Sequence, residues 1–303
     1  MFFVLLHSER RTMKYRLLII SLFLFATLPT FSQRKRAFLV GVSHYDTELT
    51  DYQWNNINGV NDIELLSPLL KRQGFQIVSL VDNQATFDSI TKELGHFIKN
   101  SKAGDIVYLH FSTHGQPVED KNGDESDGWD EAIVPIDANK LYSKGEYEGE
   151  RHLLDDQLNK YIQQLRRKIG KKGIIYVVID ACHAGTSSRA NDNNIRGTRV
   201  GLSATNKVFK PSKERASHFQ LFHASKLADV LFLEACRADQ INSEIKVDEK
   251  WYGALSFHIA KALQNNPFSA QPSKLVQSLQ REILQQGMWP NNQNLVIETS
   301  IPQ

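Results

Sequence analysis

Short apolar runs alternate with longer stretches of helical periodicity along most of the chain after residue 33. Apolar runs of about four to eight residues predict buried strands, and apolar positions three and four residues apart predict helices. The alternation indicates an α/β fold built on a parallel sheet with helices on both faces. The predicted strands cover 37–42, 76–81, 105–111, 173–179, 228–235 and 294–298, and the predicted helices cover 60–73, 86–100, 153–168, 253–263 and 272–286.

The pattern stops between residues 185 and 218, where Ser, Asn, Gly, Arg and Lys dominate and apolar residues are scattered. A stretch of this length without periodicity is uncommon inside a domain and indicates a long exposed loop. We therefore predict one domain over 33–303, built from a larger segment at 33–184 and a smaller one at 219–303. The flexible basic linker 185–218 joins the two.

The N-terminus has the features of an export signal. Lys14 and Arg16 precede a nearly all-apolar run at 17–28, and small residues follow it. The run is shorter than the roughly 20 residues that a membrane-spanning helix needs, so residues 1–32 are predicted to be a cleaved signal peptide. An uncleaved anchor is the alternative, and Met13 is an alternative start. The expected location is the periplasm or the exterior, with no stable membrane partner beyond the signal.

Charge and cysteine content exclude several classes of protein. Lys and Arg total 36 against 34 Asp and Glu, and the chain beyond residue 32 keeps 32 basic against 33 acidic residues. This balance does not indicate a nucleic-acid partner. The two cysteines exclude a disulfide scaffold and a four-cysteine zinc site, whereas the 10 histidines leave a mixed metal site or a catalytic thiol open.

Two predicted strands end in unusual polar sequences. The third runs into Ser112-Thr-His-Gly115, and the fourth runs into Asp180-Ala-Cys-His-Ala-Gly185. In open α/β sheets ligands bind beyond the carboxyl ends of the strands. His114 and Cys182 at one rim would form a thiol nucleophile and its base, with glycine N–H groups available to an oxyanion. The alternative is a buried cysteine and a buried histidine with structural roles.

A zinc site formed by His110, His114, Cys182 and His183 is the other chemistry that these residues suggest. His110 and His114 share one face of a strand, but they lie about 13 Å apart at the rise of a β-strand. That separation is too large for one ion. We therefore expect a thiol nucleophile here rather than zinc.

The same motifs carry a family resemblance. The two strand ends, the acidic segment 123–137 and the later Glu234-Ala-Cys-Arg-Ala-Asp-Gln240 resemble the caspase-like cysteine peptidases of family C14. The likeness is closest to metacaspases and their bacterial relatives, and it runs from about residue 34 to 303. It implies a three-layer caspase-like (caspase-haemoglobinase) fold with a mostly parallel six-stranded sheet and helices on both faces. Thr113 departs from the family, which usually has glycine there.

The resemblance implies roles for the residues at the strand ends. Cys182 would be the nucleophile, and His114 would be the base that also protonates the leaving amine. The backbone N–H groups of Gly115 and Cys182 would hold the oxyanion. No cofactor is required for this chemistry. Cys236 matches a second cysteine of the family and is expected to be structural, with a redox or auxiliary role as the alternative.

The resemblance also implies an acidic specificity pocket formed by Asp62 and Asp180, with Ser112 beside them. Partly buried carboxylates need a cation, and the guanidinium of a substrate arginine can supply it with two hydrogen bonds. A helix cap or first-turn acid is the alternative role for Asp62. Specificity for Asp, as in animal caspases, would need a basic pocket, and these acids argue against it.

Calcium is a candidate activator. Residues 120–131 approach the spacing of a calcium-binding EF-hand, but Glu125 stands where glycine is required. Three carboxylates that bind calcium in many metacaspases are matched by Asp130, Asp155 and Asp156. Arg189 replaces the fourth, and a solvated acidic loop is the alternative.

The sequence therefore predicts an exported cysteine endopeptidase that cuts protein or peptide substrates after Arg or Lys. A basic linker beside an active site of this specificity is also a candidate for self-cleavage within 185–218. Two alternatives remain: a caspase-fold binding or scaffold module that has lost its chemistry, and an Asp-specific peptidase.

Overall fold

The computed structural model describes residues 33–49, 54–182, 194–210, 221–266 and 271–301. The predicted signal peptide at 1–32, His183 and Arg189 lie outside these residues. Within the described ranges, no helix has the length and apolar character of a membrane span.

The strands form a central sheet and two small satellite sheets. The central sheet has six strands in the order β11-β8-β7-β3-β1-β2, all parallel except β11, which pairs antiparallel with β8. The strands are β1 (Lys35–Gly41), β2 (Phe75–Val81), β3 (Ile106–Ser112), β4 (His114–Glu119), β5 (Trp129–Val134), β6 (Leu153–Leu154), β7 (Ile174–Asp180), β8 (Asp229–Glu234), β9 (Glu244–Val247), β10 (Lys250–Gly253) and β11 (Val296–Thr299).

Helices cover both faces of the sheet. They are α1 (Gly59–Arg72), α2 (Phe87–Lys99), α3 (Asp155–Ile169), α4 (Ala254–Asn265) and α5 (Pro272–Gln286). Alternate residues of β1 enter different cores: Phe38 packs with apolar residues of α2 and α3, whereas Leu39 packs with those of α1, α4 and α5. This alternation is the reason that the central strands β3, β7 and β8 read as nearly continuous apolar runs. The predicted three-layer α/β fold with a mostly parallel six-stranded sheet is confirmed.

The satellite strands β4, β5, β6, β9 and β10 were not predicted. β4 has the sequence His-Gly-Gln-Pro-Val-Glu, which has neither an apolar run nor strict alternation. It pairs antiparallel with β5, and β5 pairs with β6, so a small sheet forms beyond the carboxyl end of β3. Tertiary pairing overrides weak local propensity in these strands.

The described part of the linker differs from the exposed loop that the sequence predicted. The side chains of Arg196, Thr198 and Leu202 are buried, and Arg196 is fully inaccessible. Isolated β-bridges join Ile195 to Ser243 and Leu202 to Val118. Residues 194–202 therefore pack against the domain. The sequence did not reveal this packing, because the partners of these residues lie far away in the chain and leave no local pattern.

Candidate active site

The carboxyl ends of β3 and β7 bring the two predicted catalytic residues to one rim of the sheet. The strands pair in parallel with Ser112 opposite Asp180. His114 begins β4 two residues after Ser112, and Cys182 follows Asp180 by two residues. Both side chains are buried. The sheet register therefore delivers the predicted base and nucleophile to neighbouring positions.

The surroundings of His114 fix its ring. Its Nε2 lies 2.8 Å from the carbonyl oxygen of Asn55, so Nε2 carries the proton and donates to this oxygen. The ring stacks on Trp54 with 4.8 Å between centroids. Nδ1 is buried without a hydrogen-bond partner. Burial, assisted by the charges of Lys140 and Arg196, lowers the pKa of His114 to about 3, so the imidazole is neutral and Nδ1 can accept a proton.

Cys182 is fully buried, and its atoms contact two carbonyl groups. The thiol donates to the carbonyl oxygen of Gln240 at 2.8 Å, and the backbone N–H donates to the carbonyl oxygen of Arg196 at 2.7 Å. The Cys236 thiol is also a hydrogen-bond partner of Cys182, and with burial this contact raises the pKa of Cys236.

A guanidinium fills a pocket lined with carboxylates next to Cys182. Nη1 of Arg196 lies 2.7 Å from Asp62 and 3.6 Å from Asp180, and it donates to the Ser112 hydroxyl at 2.6 Å. Nε and Nη2 both donate to Oε1 of Glu244, at 3.0 and 2.8 Å. The three predicted pocket residues therefore lie together around one arginine of this chain.

Hydrogen bonds from several elements orient the pocket carboxylates. Asp180 accepts from the Asn242 amide at 2.8 Å and from the Ser256 hydroxyl at 2.6 Å. Glu244 accepts from the backbone and the side chain of Asn58, at 2.7 and 2.6 Å. Asp62 accepts from the N–H of Gly253 at 3.0 Å. Each pocket carboxylate is thus held in place by hydrogen bonds as well as by the guanidinium.

Electrostatics distinguishes the two aspartates. Burial, reinforced by the charge of Asp180, raises the pKa of Asp62 to about 7 despite the nearby guanidinium. Burial also acts to raise the pKa of Asp180, but Arg196 and the bonds from Asn242 and Ser256 outweigh it and leave this pKa below its usual value. The carboxylates in turn raise the pKa of Arg196 against the effect of burial. Removal of the cation would therefore leave uncompensated buried charge.

The backbone around Arg196 lies across the site like a bound peptide. The N–H of Arg196 donates to Asn242 at 3.0 Å, and the N–H of Glu244 donates to Asn194 at 2.8 Å, as in an antiparallel pair. The next residue, Gly197, forms a β-bridge with Cys182. A β-carbon at position 197 would overlap the carbonyl of Cys182, so glycine alone fits there. The peptide bond between Arg196 and Gly197 thus lies against Cys182, the predicted nucleophile.

Sequence reasoning missed Glu244 and the particular role of Arg196. Glu244 begins the short strand β9, where nothing in its neighbours distinguishes it from a surface acid. Arg196 is one of several basic residues in the linker. Gly115 is in β4 opposite Ile133, and its role as second oxyanion donor stays a prediction.

The acidic segment forms a carboxylate cluster that only partly matches the predicted calcium ligands. Within the described residues, oxygens of Asp120, Asp124 and Asp130 lie within 4.8 Å of one another. Burial, with the charges of Asp120, Asp156 and Asp124, raises the pKa of Asp130 to about 7. Asp155 and Asp156 are not members of this cluster. Asp155 lines a separate small cavity with Glu131 and other residues of β5 to β8, whereas Asp156 lines a larger cavity with Asp130.

Comparison with known proteins places this geometry in a family. A sequence profile of the caspase domain, peptidase C14, matches residues 34–295. The chain belongs to the caspase-domain family. Among caspase-domain proteins, it is 25% identical to metacaspase-1 of Scheffersomyces stipitis over 277 residues, which is 78% of this chain and 64% of the yeast protein. It is 32% identical to metacaspase-2 of Arabidopsis thaliana over 167 residues, which is 52% of this chain and 36% of the plant protein.

Solved structures agree with the caspase-domain assignment at the level of fold. A Geobacter sulfurreducens protein superposes with a TM-score of 0.61 at 20% identity, covering 89% of this chain and 95% of that one. Procaspase-1 of Spodoptera frugiperda superposes with a TM-score of 0.50 at 13% identity, covering 89% of each chain. The chain spans just under two thirds of the length of the yeast metacaspase.

Proposed function

We propose that this caspase-domain protein is a cysteine endopeptidase that cuts polypeptides after Arg or Lys. One observation carries the proposal: Arg196 lies among the carboxylates of Asp62, Asp180 and Glu244 while its carbonyl oxygen accepts the N–H of Cys182. The Arg196 guanidinium occupies the acidic pocket, and the carbonyl group of the same residue lies at Cys182, the proposed nucleophile. An acidic substrate side chain would meet like charges in this pocket, which argues against Asp specificity.

The proposed reaction uses the chain's own residues in two steps. Nδ1 of His114 takes the thiol proton, and the Cys182 sulfur attacks the carbonyl carbon while the Cys182 N–H stabilises the oxyanion. The carbon–nitrogen bond breaks, the amine leaves with the proton from His114, and a thioester remains. Water, deprotonated by His114, then attacks the thioester and releases a carboxylate and the thiol. The Asn55 carbonyl keeps the imidazole in the tautomer that both steps require.

The binding mode of Arg196 supports self-cleavage after this residue. Its N–H and carbonyl groups make the contacts that an extended substrate would make with Asn242 and Cys182. The proposed product begins at Gly197, and the bond lies within the predicted linker at 185–218. While the bond is intact, Arg196 fills the pocket and the protein is a zymogen.

Calcium activation is part of the proposal, with a revised ligand set. Asp120, Asp124 and Asp130 offer hard oxygen donors of the kind calcium binds, and Asp130 already shares its surroundings with several acids. A bound cation would neutralise this cluster. The charge of Asp156, which acts on Asp130, would also favour cation binding there. Export, argued from the sequence at 1–32, belongs to the proposal as well.

Turnover of short fluorogenic peptides tests the proposal. The protein from Gln33 to Gln303 and its Cys182→Ala variant are given peptides that end in Arg, Lys or Asp, with calcium or with chelator. We expect turnover of Arg and Lys peptides by the wild-type protein alone. Absence of turnover together with absence of labelling by a thiol-reactive arginine peptide would favour the binding or scaffold alternative. Turnover of the Asp peptide would contradict the proposed pocket.

A further inference from the structure

The chain that follows Gly197 is anchored to the domain by contacts separate from those of Arg196. One anchor, Phe209, lies in a small apolar cluster with Trp129, Cys182 and Cys236. We call residues 198–209 the primed strap. Leu202 pairs with β4: its N–H donates to Pro117 and its carbonyl accepts from Glu119, both at 2.9 Å. The Leu202 side chain is 2% exposed and belongs to the larger hydrophobic core, together with Val118. Burial of a leucine side chain contributes about 1.5–3 kcal/mol, so this contact is an anchor.

A second group of contacts holds the far end of the primed strap. Phe209 packs edge-on against Trp129, with 5.5 Å between ring centroids. The ammonium of Lys207 lies over the same indole and donates to the Gly128 carbonyl at 2.9 Å. The hydroxyl of Thr205 donates to Glu119 at 2.6 Å. Apolar, cation–π and hydrogen-bond contacts therefore act on one short segment.

The start of the primed strap is held as well. Thr198 is buried, and the side-chain amide of Gln116 donates to the Val200 carbonyl at 2.8 Å. Gly201 lies against the indole of Trp129, where a β-carbon would overlap the ring. None of these contacts involves Arg196 or the bond that follows it. Hydrolysis of that bond would leave every one of them intact.

The other side of the bond is held differently. Residues 194–196 are held by a short antiparallel pairing with residues 242–244 and by the ion pairs of Arg196. Hydrolysis converts the Arg196 carbonyl into a carboxylate, which adds a negative charge beside a pocket that already contains the carboxylates of Asp62, Asp180 and Glu244. Repulsion weakens binding on this side. On the other side the primed strap gains a free amine at Gly197, and its apolar anchor Leu202 is unaffected by this charge.

We infer that the primed strap stays bound after the chain is cut, so that self-cleavage frees the arginine pocket but leaves the leaving-group side of the site covered. The inference rests on the proposed function and adds a restriction on substrates. A cut enzyme of this kind accepts substrates whose leaving group is small, because they need only the arginine pocket. An extended polypeptide also needs the surface under the primed strap, so it is excluded until the strap is displaced.

Two peptide substrates, each with a single arginine, test the inference. One ends in a fluorogenic amine directly after Arg, and the other continues for eight residues beyond Arg and carries a quencher. The self-cut protein from Gln33 to Gln303 is compared with its Leu202→Asp and Lys207→Ser variants, each of which removes an anchor of the primed strap outside the apolar cluster around Cys182. The control is Val208→Ser, because Val208 belongs to the same segment but is 74% exposed. We expect short-peptide kcat/KM to stay within about twofold and extended-peptide kcat/KM to rise at least tenfold in the two strap variants only.

Equal turnover of the extended peptide by the cut wild-type protein and by the strap variants would overturn the inference. Loss of turnover of both peptides by the wild-type protein would count against the proposed function instead. Hydrogen exchange provides a readout that needs neither activity nor a variant. The amides of Leu202 and Glu119 should stay protected in the wild-type protein after the cut, and their loss of protection would overturn the inference.

Discussion

The backbone N–H of Cys182 donates a hydrogen bond of 2.7 Å to the carbonyl oxygen of Arg196. This places the amide of the nucleophile where an oxyanion would develop if the sulfur attacked the neighbouring carbon. Removal of one such donor typically costs 10²–10³-fold in rate. In the uncut chain the Cys182 N–H is therefore already in place to stabilise negative charge on the Arg196 carbonyl oxygen.

Self-cleavage should depend on the charge of residue 196. We expect Arg196→Lys to be cut at the same bond at a reduced rate, because an ammonium makes fewer directed bonds than a guanidinium. Arg196→Gln should stay uncut there. N-terminal sequencing of fragments after incubation with calcium checks both outcomes, with exposed Arg199→Gln as the matched control. A fragment beginning at Gly197 in Arg196→Gln would contradict the assignment.

Removal of the buried guanidinium should destabilise the uncut protein. Arg196→Met leaves the carboxylates of Asp62, Asp180 and Glu244 without their cation, and loss of one partner from a buried ion pair costs about 3–5 kcal/mol. Urea unfolding in a Cys182→Ala background measures the loss without interference from cleavage. Lys210→Met, at an exposed position, is the control. Addition of Glu244→Gln should recover part of the stability because it removes one unpaired charge.

Glu244 should contribute to arginine specificity. Its carboxylate receives both Nε and Nη2 of the bound guanidinium, whereas a lysine ammonium can occupy only one such position. We expect Glu244→Gln to lower kcat/KM for arginine peptides by about 10- to 100-fold, since a hydrogen bond to a charged group contributes about 1.5–3 kcal/mol. Lysine peptides should lose less. Glu249→Gln, 90% exposed at the side chain, serves as the control.

Asp155 should make stability decline with rising pH. Burial and the charges of Glu131 and Asp130 raise its pKa from 3.8 to about 9. A raised folded-state pKa means that the folded protein retains a proton that the unfolded chain releases. This contribution is complete below pH 3.8 and is lost as pH rises towards 9. Asp155→Asn should flatten the dependence of the unfolding free energy between pH 5 and about pH 9, and the difference from wild type should be largest at the upper end. A parallel shift at all pH values would contradict this origin, and Asp156→Asn is the control.

Calcium binding should depend on the acidic cluster rather than on Asp155. Titration calorimetry on the Cys182→Ala protein should show that Asp130→Asn weakens calcium binding by at least tenfold. Asp155→Asn should change it less, because Asp155 lies outside the group of oxygens around Asp120, Asp124 and Asp130. The reverse order of effects would restore the ligand set predicted from the sequence.

The sequence by itself determined the layers of the fold and singled out His114 and Cys182 as the predicted dyad. Strands such as β3 and β7 are continuous apolar runs, because both faces of a parallel sheet are buried. The polar residues that follow them, among them His114 and Cys182, stand out against these apolar runs and so predict the functional edge of the sheet. Local sequence is sufficient to predict these strands, because a strand that is buried on both faces consists of apolar residues.

The tertiary structure alone decided which arginine fills the pocket and which carboxylates receive it. Arg196 and Glu244 lie 48 residues apart, and neither stands in a distinctive local pattern. Their pairing depends on the meeting of the linker with β9 beside Cys182, a contact without sequence periodicity. The buried part of the linker has the same origin. Its polar composition predicted exposure, but its arginine is compensated by distant carboxylates and Leu202 is covered by β4. Long-range charge pairing and strand addition leave no trace in local composition.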